Sequence, residues 1–259
     1  MPFIQIDDVR LHYRSDGDQN LPCLVLSNSL GTDLSLWDQQ ADVLARRFRV
    51  LRYDTRGHGQ SERGSAPVTL ERLGRDVIGL LDALAIARAH FCGISMGGLT
   101  GQWLALHHPQ RFNKIALANT AARIGSAEGW NSRAALVRRE GMDAVADGAA
   151  ARWFTPAFID SHAATVAAMT GRLRASDPEG YASCCDALAT ADLRDQIGAI
   201  ALPLLVIAGE QDPVTTTMDG AGIVLRVSGA RMERLAASHL SNIEAPAQFT
   251  QALLTFLTS

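Results

Sequence analysis

Short apolar runs alternate with amphipathic stretches along most of this chain. The runs cover residues 23–26, 50–53, 91–92, 115–118 and 204–208. Strands that are covered on both faces of a sheet have this continuous apolar character. The stretches between them carry apolar residues at helical spacing, over 34–46, 70–87 and 96–108. Strand and helix in alternation predict an α/β fold with a mostly parallel, doubly wound sheet.

The two ends of the chain extend this pattern. Residues 3–6 and 9–13 alternate apolar and polar positions around the turn residues Asp7 and Asp8. This alternation predicts an antiparallel hairpin at one edge of the sheet. At the other end, residues 232–235 predict a last strand, which a closing helix follows.

Residues 123–198 interrupt the alternation. They are Ala-rich and helical in character, show no strand pattern, and contain helix breaks before Pro156 and Pro178. An all-helical insert between the sixth and seventh strands predicts a lid over the strand ends. The alternative is a peripheral decoration. We therefore divide the chain into a core, residues 1–122 and 199–259, and a helical segment, residues 123–198, which we call the lid.

Composition excludes several classes of partner. The 259 residues are 47% hydrophobic and 20% charged, as in ordinary globular proteins, and the formal net charge is −3. A mildly acidic chain without a basic run argues against nucleic acid or an anionic membrane as partner. We find no signal pattern and no apolar stretch of the roughly 20 residues that span a bilayer. We therefore expect a cytoplasmic protein.

The cysteines predict neither a disulfide framework nor a metal site. Cys23 and Cys92 lie in apolar strand runs, where a free thiol behaves as a small hydrophobic group. The neighbours Cys184 and Cys185 are expected to form a reduced pair on a helix. No Cys-x-x-Cys or His-x-x-x-His spacing occurs. We expect no metal and no cofactor.

Residues 93–97, Gly-Ile-Ser-Met-Gly, form the pattern Gly-x-Ser-x-Gly between a predicted strand and a predicted helix. A tight turn of this kind lifts the serine hydroxyl above the sheet, and the new helix directs its first N–H groups towards the same place. The pattern predicts Ser95 as a nucleophile. A glycine-rich loop with an incidental serine is the alternative.

An activated serine needs a base, and the base needs an orienting acid. Asp212 follows the predicted seventh strand, and His239 follows the last strand. Serine, acid and histidine in this chain order predict a catalytic triad of Ser95, Asp212 and His239. A helix-capping Asp212 and a solvated His239 are the alternatives. Glu210 is the rival acid, and His58 is a second histidine near the predicted rim.

A tetrahedral intermediate needs two N–H donors directed at its oxyanion. The backbone N–H of Met96, immediately after the serine, is predicted as one of them. The second donor is expected from the loop over residues 26–32, which follows the third strand. By its position in this loop, we favour the N–H of Leu30.

With these residues identified, the chain resembles the α/β-hydrolases over essentially its full length, including the loop Asp-Thr-Arg-Gly-His-Gly-Gln-Ser at 54–61. Residues 27–33, 93–101, 119–125 and 238–244 are similar to the 3-oxoadipate enol-lactonase family. The resemblance implies a serine hydrolase that opens a small anionic enol-lactone in bacterial breakdown of protocatechuate and catechol. It also implies an acyl-enzyme on the serine, and no cofactor.

The implied substrate carries a carboxylate, which a buried pocket has to neutralise. We predict that Arg123, at the junction of core and lid, binds this group because an arginine fork matches a carboxylate. Trp153 is predicted as an apolar wall of the pocket. A helix-capping Arg123 and a Trp153 that only packs the lid are the alternatives. A general carboxylesterase, a perhydrolase-like enzyme and a non-catalytic ligand-binding protein are the competing functions.

Overall fold

The computed structural model describes residues 2–259. Its strands form one eight-stranded sheet in the order β1-β2-β4-β3-β5-β6-β7-β8. The strands are β1 (Phe3–Ile6), β2 (Val9–Asp16), β3 (Cys23–Ser27), β4 (Arg49–Tyr53), β5 (Ala89–Ile94), β6 (Phe112–Ala118), β7 (Leu204–Gly209) and β8 (Arg231–Leu235).

Within the described residues, twelve α-helices accompany this sheet. They are α1 (Asp38–Leu44), α2 (Leu70–Ala83), α3 (Met96–His107), α4 (Ala127–Glu140), α5 (Asp143–Asp147), α6 (Ala149–Trp153), α7 (Pro156–Ser161), α8 (Ala163–Arg174), α9 (Pro178–Thr190), α10 (Thr217–Arg226), α11 (Ser241–Glu244) and α12 (Pro246–Thr258). Three short 3₁₀-helices cover Leu34–Trp37, Pro109–Arg111 and Ile197–Ala199.

The sheet is antiparallel at one edge and parallel elsewhere. β1 pairs with β2, and β2 with β4, in antiparallel register, whereas every pair from β4 across to β8 is parallel. All residues of β3, β5 and β7 are buried, which explains their continuous apolar runs. Helices α1 and α12 pack together on one face, while α2, α3 and α10 cover the other. This confirms the predicted fold class.

Two helices differ from their predicted limits: one is divided in two, and the other ends earlier. The stretch predicted as one helix over 34–46 is split into the 3₁₀-helix Leu34–Trp37 and α1. Asp33 begins the first of them, since its carboxylate accepts the N–H of Ser35 at 2.8 Å. Helix α2 stops before residue 87 because the chain turns at Ala85, which has a φ of +54°.

Six helices, α4 to α9, lie between β6 and β7, and the described part of the chain has no strand among them. Pro156 and Pro178, predicted as helix breaks, are the first residues of α7 and α9, where a proline loses no hydrogen bond. The side chains of Thr155 and Asp177 cap these two helices. The exact limits of the lid, 123 and 198, stay a prediction.

The structure also describes the cysteines, the lengths of the helices and the grouping of possible metal ligands. Cys23, Cys92, Cys184 and Cys185 are all free and buried, as the sequence predicts. Within residues 2–259, no helix combines the length and apolar character that crossing a bilayer requires. The same residues contain no cluster of three His, Cys, Asp or Glu side chains that is arranged to hold a metal ion.

Candidate active site

Ser95 lies on the turn between β5 and α3, with a φ of +57° and a ψ of −115°. Both flanking glycines are required by close backbone contacts. A Cβ at Gly93 would lie 2.2 Å from the carbonyl oxygen of Gly97, and a Cβ at Gly97 would lie 2.5 Å from that of Ser27. The Ser95 N–H donates to the carbonyl of Ala118 at 2.9 Å. The turn therefore fixes the strained serine above the end of the sheet.

Asp212 and His239 meet directly, as predicted. Oδ2 of Asp212 lies 2.8 Å from Nδ1 of His239, and both side chains are buried. The same oxygen accepts the hydroxyl of Thr215 at 2.8 Å and the amide of Asn119 at 3.0 Å. Oδ1 accepts the N–H of Val214 at 2.7 Å. The carboxylate is therefore held on both oxygens before it contacts the imidazole.

These contacts determine the charge of Asp212. Burial acts to raise the pKa of its carboxyl, but the hydrogen bond and charge of His239, with the donors Thr215 and Asn119, outweigh burial and leave the pKa below its ordinary value. An ionised Asp212 accepts the Nδ1 proton of His239. Nε2 is then the basic nitrogen of the ring.

The rival acid and the second histidine are not brought into this arrangement. Glu210 is exposed, and its N–H donates to the carbonyl of Leu235 at 2.9 Å. His58 is buried with Nδ1 3.2 Å from the carbonyl of Arg56, and burial lowers its pKa. It packs towards Tyr181 of α9, with ring centroids 6.4 Å apart. His58 therefore belongs to the contact between the core and the lid.

Asn28 fixes the loop that supplies the second predicted oxyanion donor. Its carbonyl accepts the N–H of Gly97 at 3.0 Å, and its side-chain oxygen accepts the indole N–H of Trp37 at 2.9 Å. The loop is thus tied to the first turn of α3, where helix geometry leaves N–H groups without intrahelical acceptors. Within residues 2–259, neither Leu30 nor Met96 donates its N–H to another group. Both remain predicted donors.

A cavity of about 380 Å³ opens above Ser95 and His239, between the strand ends and the lid. Leu30, the predicted oxyanion residue, lies in its wall. Trp153 also lines it, with only 5% of its surface exposed. Further lid side chains complete the wall, namely Trp130, Leu173 and Tyr181. The arrangement gives a reactive serine a mostly apolar, covered pocket.

Arg123 does not line this cavity, and its role in binding the carboxylate stays a prediction. Its partly exposed guanidinium is directed to the carboxylate of Asp192, 3.5 Å away, at the end of the lid. Two other arginines, Arg133 of α4 and Arg152 of α6, line the cavity instead. Neither arginine was predicted as a site residue, because the periodicity of a short lid helix does not show which side faces the core. The available signal was the position of Arg152 next to Trp153.

The two cavity arginines make no ion pair within residues 2–259. Arg133 stacks its guanidinium over Trp130, 4.9 Å from the ring centroid. Arg152 donates to the carbonyl of Val145 at 2.6 Å. Burial, together with the nearby charge of Arg133, lowers the pKa of Arg152. Among the residues that the structure describes, the pocket therefore contains two cationic side chains and no carboxylate that pairs with them.

Comparison with known proteins places this geometry in a family. Residues 22–245 match the alpha/beta hydrolase fold family. The chain is 51% identical to 3-oxoadipate enol-lactonase 2 of Acinetobacter baylyi, over 95% of this chain and 92% of that protein. It is 45% identical to 3-oxoadipate enol-lactonase 1 of the same organism, over 96% of this chain and 93% of that protein.

The crystal structure of the enol-lactonase from Burkholderia xenovorans LB400 superposes with a TM-score of 0.98. Its sequence is 49% identical, and the superposition covers 100% of both chains. At this level of identity, the likeness extends beyond a shared fold. This chain belongs to the alpha/beta hydrolase fold family, and within it to the 3-oxoadipate enol-lactonases.

Proposed function

We propose that this protein hydrolyses 3-oxoadipate enol-lactone to 3-oxoadipate, with Ser95 as the nucleophile. One observation carries the proposal. Ser95 and His239 share a single covered cavity with two arginines, Arg133 and Arg152, that have no carboxylate partner. A serine nucleophile with a histidine base can cleave an ester bond, and the two arginines can bind a substrate that carries a negative charge.

The first half of the reaction opens the ring. Ser95 Oγ attacks the lactone carbonyl while its proton passes to Nε2 of His239, and Asp212 stabilises the imidazolium that forms. The N–H groups of Leu30 and Met96 bind the oxyanion of the tetrahedral intermediate. When the intermediate collapses, the ring C–O bond breaks and the proton of His239 passes to the leaving enol oxygen. The enol relaxes to the ketone, which leaves the acyl group on Ser95.

The second half releases the product. A water molecule loses its proton to His239 and attacks the acyl carbonyl, and the same two N–H groups bind the second oxyanion. The bond to Ser95 then breaks, and His239 returns the proton to the serine oxygen. The product carries a second carboxylate, formed from the lactone carbonyl.

Two arginines of the cavity, and not Arg123, bind the substrate in this mechanism. The substrate's free carboxylate lies against Arg133 and Arg152, while Trp153 packs against the ring. Burying a carboxylate without a partner is costly, so a pocket that already holds two cations selects an anionic lactone over a neutral ester. Residues 123–198 act as the lid that supplies these groups and keeps the pocket dry.

A substrate panel tests the proposal. We expect kcat/KM for the enol-lactone to exceed that for short neutral p-nitrophenyl esters by about 100-fold or more, because arginine hydrogen bonds to a carboxylate contribute about 1.5–3 kcal/mol each. Comparable values would indicate a general carboxylesterase. A serine-reactive phosphonate should add its mass to the peptide that contains Ser95. No labelling would indicate a non-catalytic ligand-binding protein.

A further inference from the structure

Glu244, the last residue of α11, bridges the loop that carries His239 to the lid. Its Oε2 accepts the N–H of Ser238 at 2.8 Å, immediately before the histidine. Its Oε1 accepts the hydroxyl of Thr155, which caps the lid helix α7. One carboxylate therefore joins an element of the core to an element of the lid.

The other neighbour of His239 is bound to the same part of the lid. The N–H of Leu240 donates to the carbonyl of Trp153 at 3.0 Å. Ser238 and Leu240 are thus both tied to the lid, the first through Glu244 and the second directly. Because Trp153 also forms the cavity wall, the position of the wall and the position of the imidazole are set by one group of contacts.

Glu244 is a carboxylate whose charge is held by hydrogen-bond donors and not by a cation. It is the last residue of the four-residue helix α11 and lies two residues before Pro246, the first residue of α12. It is partly buried, and no cation pairs with it within residues 2–259. A partly desolvated charge is unfavourable unless hydrogen bonds compensate it. The donors Ser238 and Thr155 supply that compensation.

We infer that Glu244 is a positioning residue, which holds His239 in line with Ser95 by fixing its loop against the lid. The inference rests on the proposed function in one respect, since it takes Ser95 and His239 as the reacting pair. Base catalysis depends on geometry, and a displacement of about 1 Å is enough to cost about 100-fold in rate. Loss of the bridge should therefore slow the chemical step more than it weakens binding.

The variants Glu244→Ala and Glu244→Gln test this inference on p-nitrophenyl acetate, with active sites counted by a fluorophosphonate that labels Ser95. The alanine removes both contacts. The glutamine oxygen still accepts from Ser238, and its NH₂ group replaces the second contact by donating to the Thr155 hydroxyl, with the direction of that hydrogen bond reversed. We expect Glu244→Ala to lower kcat per labelled site about 10- to 100-fold with KM changed less than about threefold, and Glu244→Gln to restore kcat to within about fivefold of wild type.

Glu140→Ala is the matched control. Glu140 is also the last residue of a helix, α4 of the lid, and among residues 2–259 its carboxylate pairs only with the neighbouring Arg139. We expect wild-type kinetics. If Glu244→Ala does not fold, the pair Thr155→Val and Thr155→Ser decides. Valine removes the hydroxyl contact and leaves only the backbone N–H of residue 155, 3.4 Å from the carboxylate oxygens, whereas serine keeps the hydroxyl.

Two results would overturn the inference: wild-type kcat per labelled site in Glu244→Ala and Thr155→Val, or a Glu244→Gln variant as impaired as the alanine variant. Failure of the proposed function gives a different result. A wild-type protein that hydrolyses the simple ester but not the enol-lactone refutes the substrate and leaves this test intact. A wild-type protein that the phosphonate does not label at Ser95 refutes both.

Discussion

Nδ1 of His239 lies 2.8 Å from Oδ2 of Asp212, in a contact that three further residues hold in place. Asn119 and Thr215 donate to the same oxygen, and Val214 donates to the other. Because these donors hold both carboxylate oxygens, the carboxylate can accept from the imidazole in one orientation only. Asp212 therefore selects the Nδ1–H tautomer and keeps Nε2 as the base.

Asp212→Asn removes the charge while keeping the shape of the side chain. An amide that presents its NH₂ to the imidazole favours the wrong tautomer, so we expect kcat/KM to fall about 10³- to 10⁴-fold. Tm should also fall, because this NH₂ group opposes the buried Asn119 amide that donates to the same position in the wild type. Steady-state kinetics on the enol-lactone and a thermal melt give both quantities. Glu210→Gln, which neutralises the exposed carboxylate two residues earlier, is the control and should change kcat/KM less than twofold. A loss below about tenfold in Asp212→Asn would contradict the assignment.

Gly93→Ala should prevent formation of the turn that carries Ser95. The added Cβ would lie 2.2 Å from a backbone carbonyl oxygen, which cannot move aside as a flexible side chain can. We expect the free energy of unfolding to fall by more than about 3 kcal/mol, measured by urea titration. Gly171→Ala is the control, since a Cβ at this position in α8 meets nothing within 4 Å. It should stabilise the protein by about 0.5–1 kcal/mol. Equal effects in both variants would contradict the steric explanation.

The core could be predicted from the sequence because burial on both faces determines every residue of a strand. The continuous apolar runs of β3, β5 and β7 are direct consequences of their position in the middle of the sheet. The turn at Ser95 could also be predicted from the sequence, because both of its glycines are required: a Cβ at Gly93 or Gly97 would collide with the backbone. In both cases a local rule and the global fold demand the same residue types.

The lid side of the site could not be predicted in the same way. Arg123, Arg133 and Arg152 are all basic residues near or on helices, and only the packing of α4 and α6 over the strand ends decides which of them face the cavity. Asn119 was missed for a related reason. A single polar residue after a strand looks like any turn residue, and its φ of +44° and its bond to Asp212 are tertiary features.

Removing either cavity arginine should affect anionic and neutral substrates differently. Hydrogen bonds to a charged group contribute about 1.5–3 kcal/mol, so Arg133→Ala and Arg152→Ala should each raise KM for the enol-lactone about 10- to 100-fold. KM for p-nitrophenyl acetate should change less than about threefold, because that ester carries no charge. Steady-state kinetics on the two substrates measure the difference.

Arg123→Ala is the control for the arginine variants, because its guanidinium contacts Asp192 outside the cavity. We expect KM for both substrates to remain within about twofold of wild type. A loss confined to the anionic substrate in Arg123→Ala would restore Arg123 as its partner. Equal losses on both substrates in the Arg133 and Arg152 variants would assign those residues to lid structure.

Asp8 should make the stability of the fold depend on pH. Its carboxylate accepts the N–H groups of Ser65 and Ala66 at 2.8 and 3.0 Å and lies 3.2 Å from the Arg72 guanidinium. Chiefly through the Ala66 hydrogen bond, and against the opposing effect of burial, these contacts lower the pKa of Asp8 to about 2. The ionised group therefore stabilises the fold fully above about pH 4, and this contribution is lost as the pH falls towards the folded-state pKa.

Asp8→Asn should accordingly reduce the free energy of unfolding by about 1–2 kcal/mol at neutral pH. The difference from wild type should shrink between about pH 4 and pH 2, where the wild-type carboxylate itself takes up a proton. Urea titrations across this range measure it. Asp7→Asn, at the neighbouring exposed turn position, is the control and should follow the wild-type curve. If the Asp8→Asn difference were the same at every pH, its effect would come from shape and not from charge.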